Sequence, residues 1–270
     1  MLSWPTDLLH HSPWFTPLLP ALRTLGWRQF PTAATWASLP ADLLPITQSG
    51  QTVRFVSPSQ LDEQGYELRI AQSGEVATRP DNWHDCFNAL CWLGWPKSKA
   101  ALNGQHLHEL SQSSTGQRNR ARDAATLFDE SGLVLACAAP DLVQALHNHD
   151  WKTLFQVRRA DWSRQLAAYC FGHALQEKGL APFIGIVAKV VVVEVPTGWF
   201  DLPLVQQIAE LDSELAQRIG AGQLREPRAL PPLPVLGIPG WWPVQNVAFY
   251  ADTQHFRPKN LPKVSRAKAR

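Results

Sequence analysis

Long apolar runs, paired-cysteine motifs and nucleotide-loop glycines are all missing from this 270-residue chain. The most apolar stretch, Phe183 to Val195, is interrupted by Lys189 and falls short of the about 20 residues a bilayer span needs. Met1 to Leu25 has no basic leader region and is broken by Pro5, Pro13, Pro17 and Pro20, so no secretory signal is expected. The four cysteines, Cys86, Cys91, Cys137 and Cys170, form no Cys-x-x-Cys pair and each sits in an apolar run. Buried free thiols in a reducing compartment follow, and with them a cytoplasmic location and no membrane partner. There is no Gly-x-x-x-x-Gly-Lys, no Gly-x-Gly-x-x-Gly and no Gly-x-Ser-x-Gly, which removes the main support for a nucleotide-loop or serine-hydrolase reading. Acid is absent from residues 257–270, where six Lys and Arg residues make a basic tail. Such a tail is expected to be flexible and to touch nucleic acid weakly; a solvated terminus accounts for it equally.

What is present is tryptophan: twelve, against three tyrosines. With 45% hydrophobic and 18% charged residues, the chain has the composition of a folded core dominated by large rings. The expected organisation is a single domain over 1–256, with residues 1–50 as a proline-rich wrap and 257–270 as the tail. Thr52 to Val56 reads as a strand, and Tyr66 to Ile70 with Glu75 to Thr78 as a hairpin turned at Ser73-Gly74. Asp81 is placed to cap a helix whose apolar stripe is Trp83, Phe87, Leu90 and Cys91. Further helices are expected from Lys97 to about Leu110, Asn119 to Glu130, Pro140 to about His149, Asp161 to Gly179, and after Asp201. In the last, Val205, Ile208, Leu211, Leu215 and Ile219 are expected to face inward. Leu133 to Ala138 and Val190 to Val195 read as strands, the second apolar on both faces and therefore central. Helices outnumber strands without regular alternation, so the fold class is α+β, a mostly helical single domain with a small mixed sheet.

The polar segment Asn82-Trp83-His84-Asp85 carries the best candidate chemistry. On a helix, His84 and Asn88 share one face beside the apolar stripe. A histidine at that border, with Asp85 beside it, suits a general base or a metal ligand. A His-Asp dipeptide resembles that of metal phosphohydrolases, though their other ligands are not at the usual spacing here. First-turn acids that favour the helix dipole account for the same residues. Arg122, Asp123, Asp129 and Glu130 form a second group. Its carboxylates suit a hard cation and its arginine a phosphate; an exposed mixed-charge helix explains them too. His173 follows Gly172 on an apolar stripe and is expected to face inward, where both ring nitrogens need partners. Gly172 points to close approach of another backbone. Trp241 and Trp242, in a rigid Gly-Ile-Pro-Gly-Trp-Trp-Pro turn, suit an aromatic wall over a ligand or core filling.

Several of these segments occur together in one known family. They are Arg79-Pro-Asp-Asn-Trp-His-Asp-Cys-Phe-Asn-Ala-Leu90, Arg122-Asp-Ala-Ala-Thr-Leu-Phe-Asp-Glu-Ser-Gly132, Phe171-Gly-His-Ala-Leu175 and Pro234-Val-Leu-Gly-Ile-Pro-Gly-Trp-Trp-Pro243. The chain resembles, over nearly its whole length, the domain-of-unknown-function family numbered 3025, seen mainly in proteobacteria. The resemblance implies a single whole-chain domain and no assigned activity. The residues themselves favour a hydrolase acting on a phosphate-containing or other polar substrate, with a divalent metal as the cofactor they suit. In that reading His84, Asp85, Asp123 and His173 are catalytic. Asn88, Arg122, Asp129, Glu130, Trp241 and Trp242 bind, and metal ligands come from His84, Asp85, Asp123, Asp129 and His173. The alternative is a non-catalytic binding protein that uses the aromatic pocket or the basic tail to hold nucleic acid or a protein.

Overall fold

The computed structural model describes residues 2–58, 65–112 and 119–259. From residue 260 on the basic tail lies outside them. The proline-rich start folds as short helices α1 (Thr6–His11), α2 (Leu19–Leu25) and α3 (Ala33–Ala37). They are followed by β1 (Arg54–Val56), α4 (Tyr66–Ser73), β2 (Glu75–Ala77), α5 (Trp83–Gly94), α6 (Pro96–Gln112), α7 (Arg120–Ser131) and β3 (Gly132–Cys137). Then come α8 (Pro140–Asn148), β4 (Leu166–Cys170), α9 (His173–Lys178), β5 (Val187–Glu194), α10 (Leu204–Gly220), β6 (Pro232–Pro234) and α11 (Val247–Tyr250). No described helix is long and apolar enough to cross a membrane.

The larger sheet has the order β4-β3-β5-β6, with β3 and β5 parallel and the outer pairs antiparallel. This is the small mixed sheet of an α+β fold. Side chains alternate across its pleat. Leu133, Leu135 and Val190 join one apolar cluster with Phe87, Leu90 and the N-terminal Trp14 and Phe15. Val134, Ala136, Val191 and Val193 join another with Phe128, Leu211 and Leu215. Both faces of the sheet are therefore covered, and the internal strands β3 and β5 can be apolar on both sides. All four cysteines are buried free thiols.

Three expected elements take a different form. Tyr66 to Ile70 is the start of α4, and no hairpin forms: β2 runs parallel to β1. The residues after Tyr66 are mostly good helix formers. Gly74, in the left-handed region at φ 74°, donates its N–H to the Ile70 carbonyl and ends the helix. The apparent turn signal was a helix stop. The long helix expected from Asp161 to Gly179 is instead strand β4 followed by α9. Leu166–Cys170 fits either period, and pairing with β3 decides: a helix there would leave one edge of β3 unpaired and buried. The helix after Asp201 begins later, at Leu204, and its Val205 is 65% exposed, on the solvent side of the stripe.

Candidate functional site

Two histidines from distant parts of the chain meet in the wall of a pocket of about 470 Å³. His84 is held in the first turn of α5. Asn82, the cap, accepts the Asp85 N–H through Oδ1 at 2.9 Å. Asp81, expected in that role, sits at φ 50° with its Oδ1 accepting the Leu2 N–H. His173 opens α9, immediately after β4. The two helices are tied together beneath the site: the Cys91 thiol donates to the Phe171 carbonyl at 3.3 Å and to Gln176 Oε1 at 3.2 Å. Trp95 Nε1 donates to the Cys170 carbonyl at 3.1 Å.

Gly172 sets the third side. A Cβ there would lie 2.5 Å from both the Glu130 carbonyl oxygen and the Gly132 nitrogen. This is the close backbone approach expected for that glycine, although it precedes the helix instead of lying inside it. The approach brings the end of α7, with Asp129 and Glu130, against His173. Gly172→Ala is expected to force these backbones apart at a cost of about 1–3 kcal/mol. Urea unfolding measures the loss.

The resulting geometry is specific. His84 Nε2 and His173 Nε2 are 3.1 Å apart. Glu130 Oε1 lies 3.6 Å from His173 Nε2 and 4.0 Å from His84 Nε2. Each ring turns its other nitrogen to a carboxylate: His84 Nδ1 is 3.1 Å from Glu177 Oε2, and His173 Nδ1 is 3.8 Å from Asp129 Oδ2. Burial pushes the His173 pKa down to about 4, against the pull of Asp129, so the ring is neutral near pH 7. Asp129 is itself raised by burial, but the ammonium of Lys99 and the ring of His173 outweigh that and hold its carboxyl below the ordinary value. Lys99 Nζ donates to Asp129 Oδ1 at 2.6 Å and to Asn88 Oδ1 at 2.9 Å. Asn88 Nδ2 donates to the Tyr66 hydroxyl at 2.7 Å.

Of the residues singled out in the sequence, His84, Asp85, Asn88, Asp129, Glu130 and His173 line this pocket together. Asp85 is engaged by Arg79: Nε and Nη2 reach its two oxygens at 2.7 and 2.8 Å, and the Arg79 N–H adds a bond at 2.9 Å. It braces the wall, and His84, Glu130 and His173 make the ligand-like cluster. Arg122 and Asp123 are not brought in. They lie in the first turn of α7, and the six to eight residues to Asp129 and Glu130 span roughly 10 Å of helix. Trp241 is buried against Trp14 and Trp242 stacks on Phe249; neither lines the pocket. The aromatic turn fills core instead of walling the pocket.

Tyr66, Glu67, Lys99, His106 and Glu177 complete the surroundings without having been singled out. Lys99, Asn103 and His106 stand at steps of four and three on α6, one buried polar stripe. That spacing was a usable signal. Glu177 lies one turn after His173.

Residues 53–260 match the model of the family described as Protein of unknown function (DUF3025), a span that contains every residue of the cluster from Tyr66 to Glu177. No curated protein and no solved structure matches the chain. The match covers most of the sequence, and the protein belongs to that family.

Proposed function

We propose that the protein is a metal-dependent hydrolase, with a divalent cation held by His84 Nε2, His173 Nε2 and a Glu130 oxygen. One observation carries this. The Glu177 carboxylate, 3.1 Å from His84 Nδ1, calls for a proton there, and the charge of Asp129, 3.8 Å from His173 Nδ1, favours one on that nitrogen; in those tautomers both Nε2 lone pairs face each other at 3.1 Å. Two lone pairs at that distance repel unless a positive charge lies between them. Nitrogens bound at 2.0–2.1 Å to one ion stand roughly 2.9 Å apart at right angles and about 3.4 Å apart in a tetrahedron. The carboxylate behind each ring is the arrangement that fixes tautomer and basicity in metal-bound histidines. Asp129 and Glu130 also lie in the last turn of α7, where the helix dipole disfavours acids. Asp129 is offset there by the buried Lys99 ammonium, whereas Glu130 faces the two rings, a placement that fits a site.

The chemistry supplied is activation of a bound water. Held by His84, His173 and Glu130, such an ion would supply a water whose oxygen could bond to the carbonyl carbon or phosphorus of a polar substrate. A pocket carboxylate such as Glu67 would take its proton and return it to the leaving group as the bond to that group breaks. Two histidines and a carboxylate leave coordination positions open for water and substrate. The buried thiols fit a reducing, cytoplasmic setting.

The test is hydrolysis of p-nitrophenyl phosphate and p-nitrophenyl acetate by protein dialysed against a chelator and then given Zn²⁺, Co²⁺ or Mn²⁺. Activity on one of the two esters is expected to vanish with the chelator and return at one ion per chain. Inactivity with every ion, together with no binding of any, would mean that a proton shared between the rings takes the place of the metal.

A further inference from the structure

We propose that Tyr66 is an oxyanion donor of this site, a second contact for a metal-held carbonyl or phosphoryl oxygen as it becomes negative. The proposal rests on the metal reading above and adds to it a substrate class: compounds whose reacting group ends in such an oxygen.

The argument is one of direction. A lysine ammonium can only donate. Lys99 Nζ lies 2.9 Å from Asn88 Oδ1, so the orientation of the Asn88 amide is decided and its Nδ2 must point the other way. That NH₂ donates to the Tyr66 oxygen at 2.7 Å. The phenol is therefore an acceptor within the chain, and its own hydrogen remains for something else. Among the described residues no acceptor takes it. Tyr66 is 41% exposed and lines the same pocket as the two histidines. Asn88 follows His84 by one turn on α5, which sets the base of the chain about 5–6 Å from that ligand. An ammonium at the buried end polarises each link in turn and strengthens the last donor. The phenol stays protonated, because burial and the carboxylate of Glu67 both raise its pKa.

A network that only satisfied buried polar groups would end on an internal acceptor. This one ends on the hydroxyl of Tyr66, a residue that lines the pocket. A donor placed where charge develops is worth more than one that binds the ground state.

The experiment uses the full chain loaded with Co²⁺, titrated with inorganic phosphate and followed by the visible absorption of the ion, for the wild type and Tyr66→Phe. Cobalt affinity is expected to agree within about twofold, and phosphate affinity to fall about tenfold in the variant. Equal phosphate affinity overturns the donor role while leaving the metal site intact. Loss of cobalt affinity in Tyr66→Phe makes the hydroxyl structural and also overturns it. A wild-type chain that binds no cobalt removes the metal reading, and the Tyr66 role falls with it.

Discussion

His173→Ala is expected to lower zinc affinity by about three orders of magnitude, on the order of 4 kcal/mol, while leaving the metal-free fold near its original stability. The first half follows from the ligand count: one of two nitrogens is lost, and Glu130, 3.6 Å from the missing atom, cannot replace it. The second half follows from what the ring does when no ion is bound. His173 is buried and its Nδ1 has no hydrogen-bond partner. Removing the ring forfeits packing and also removes a desolvated polar nitrogen, two terms of opposite sign. Thermal unfolding with and without ion reads both. At an ion concentration about 100-fold above its Kd, the wild type gains roughly 2.7 kcal/mol, a rise of roughly 5–10 °C for a chain of this size. His173→Ala is expected to show no rise. An equal rise in the two proteins would place the ion elsewhere. Glu177→Gln, which removes only the carboxylate behind the His84 ring, is expected to weaken binding by about 10–100-fold; Asp129→Asn is expected to weaken it too and also to destabilise the fold, because the buried Lys99 ammonium loses its counter-ion.

The parts of this arrangement differ in how visible they are in the sequence, and the reason is range. The α5 cap is Asn82 and not Asp81, but the α5 stripe, the α7 helix and the two apolar strands of the central sheet follow from local pattern, and each forms close to where pattern puts it. So does the inward placement of His173, although by another route: the stripe was read as helical, and the residue lies at a helix start after a strand. Leu166–Cys170 satisfies either period, and only the unpaired edge of β3, some thirty residues away, settles the matter. Tyr66 to Ile70 is helical and not a strand for a related reason, since a glycine after such a run signals a hairpin turn and a helix stop alike.

The site is harder to read because it is assembled across the fold. His84 and His173 meet only because the chain returns through β4, and Glu130 joins them because Gly172 has no side chain to hold it away. Asp123 looked equivalent to Asp129 in the sequence. Helical rise separates them, and nothing short of placing both ends of α7 could show which end faces the pocket. Lys99, Asn103 and His106 were legible in principle. A polar stripe at core spacing is as informative as an apolar one.

Lys99→Met supplies the sharpest separation between a structural and a functional role for the buried charges. Lys99 is 4% exposed in its side chain and Asp129 22%. Removing the ammonium strands a carboxylate with limited access to water, and the expected cost is about 3 kcal/mol, the lower end of what breaking a buried pair costs. The double variant Lys99→Met/Asp129→Leu is expected to recover most of that loss, because a well-packed apolar pair replaces two desolvated charges. Up to this point the result is the same whether the pair serves folding or a site. A divalent ion distinguishes them. If His84, Glu130 and His173 hold it, positive charge returns to the neighbourhood of Asp129 through the His173 ring, and saturating zinc is expected to restore at least about 1 kcal/mol to Lys99→Met beyond what it adds to the wild type. The double variant has no Asp129 to benefit and is expected to gain no such excess. Equal stabilisation of all three proteins by zinc would show that Asp129 is uncoupled from the ion, and the Lys99–Asp129 pair would then belong to the scaffold alone.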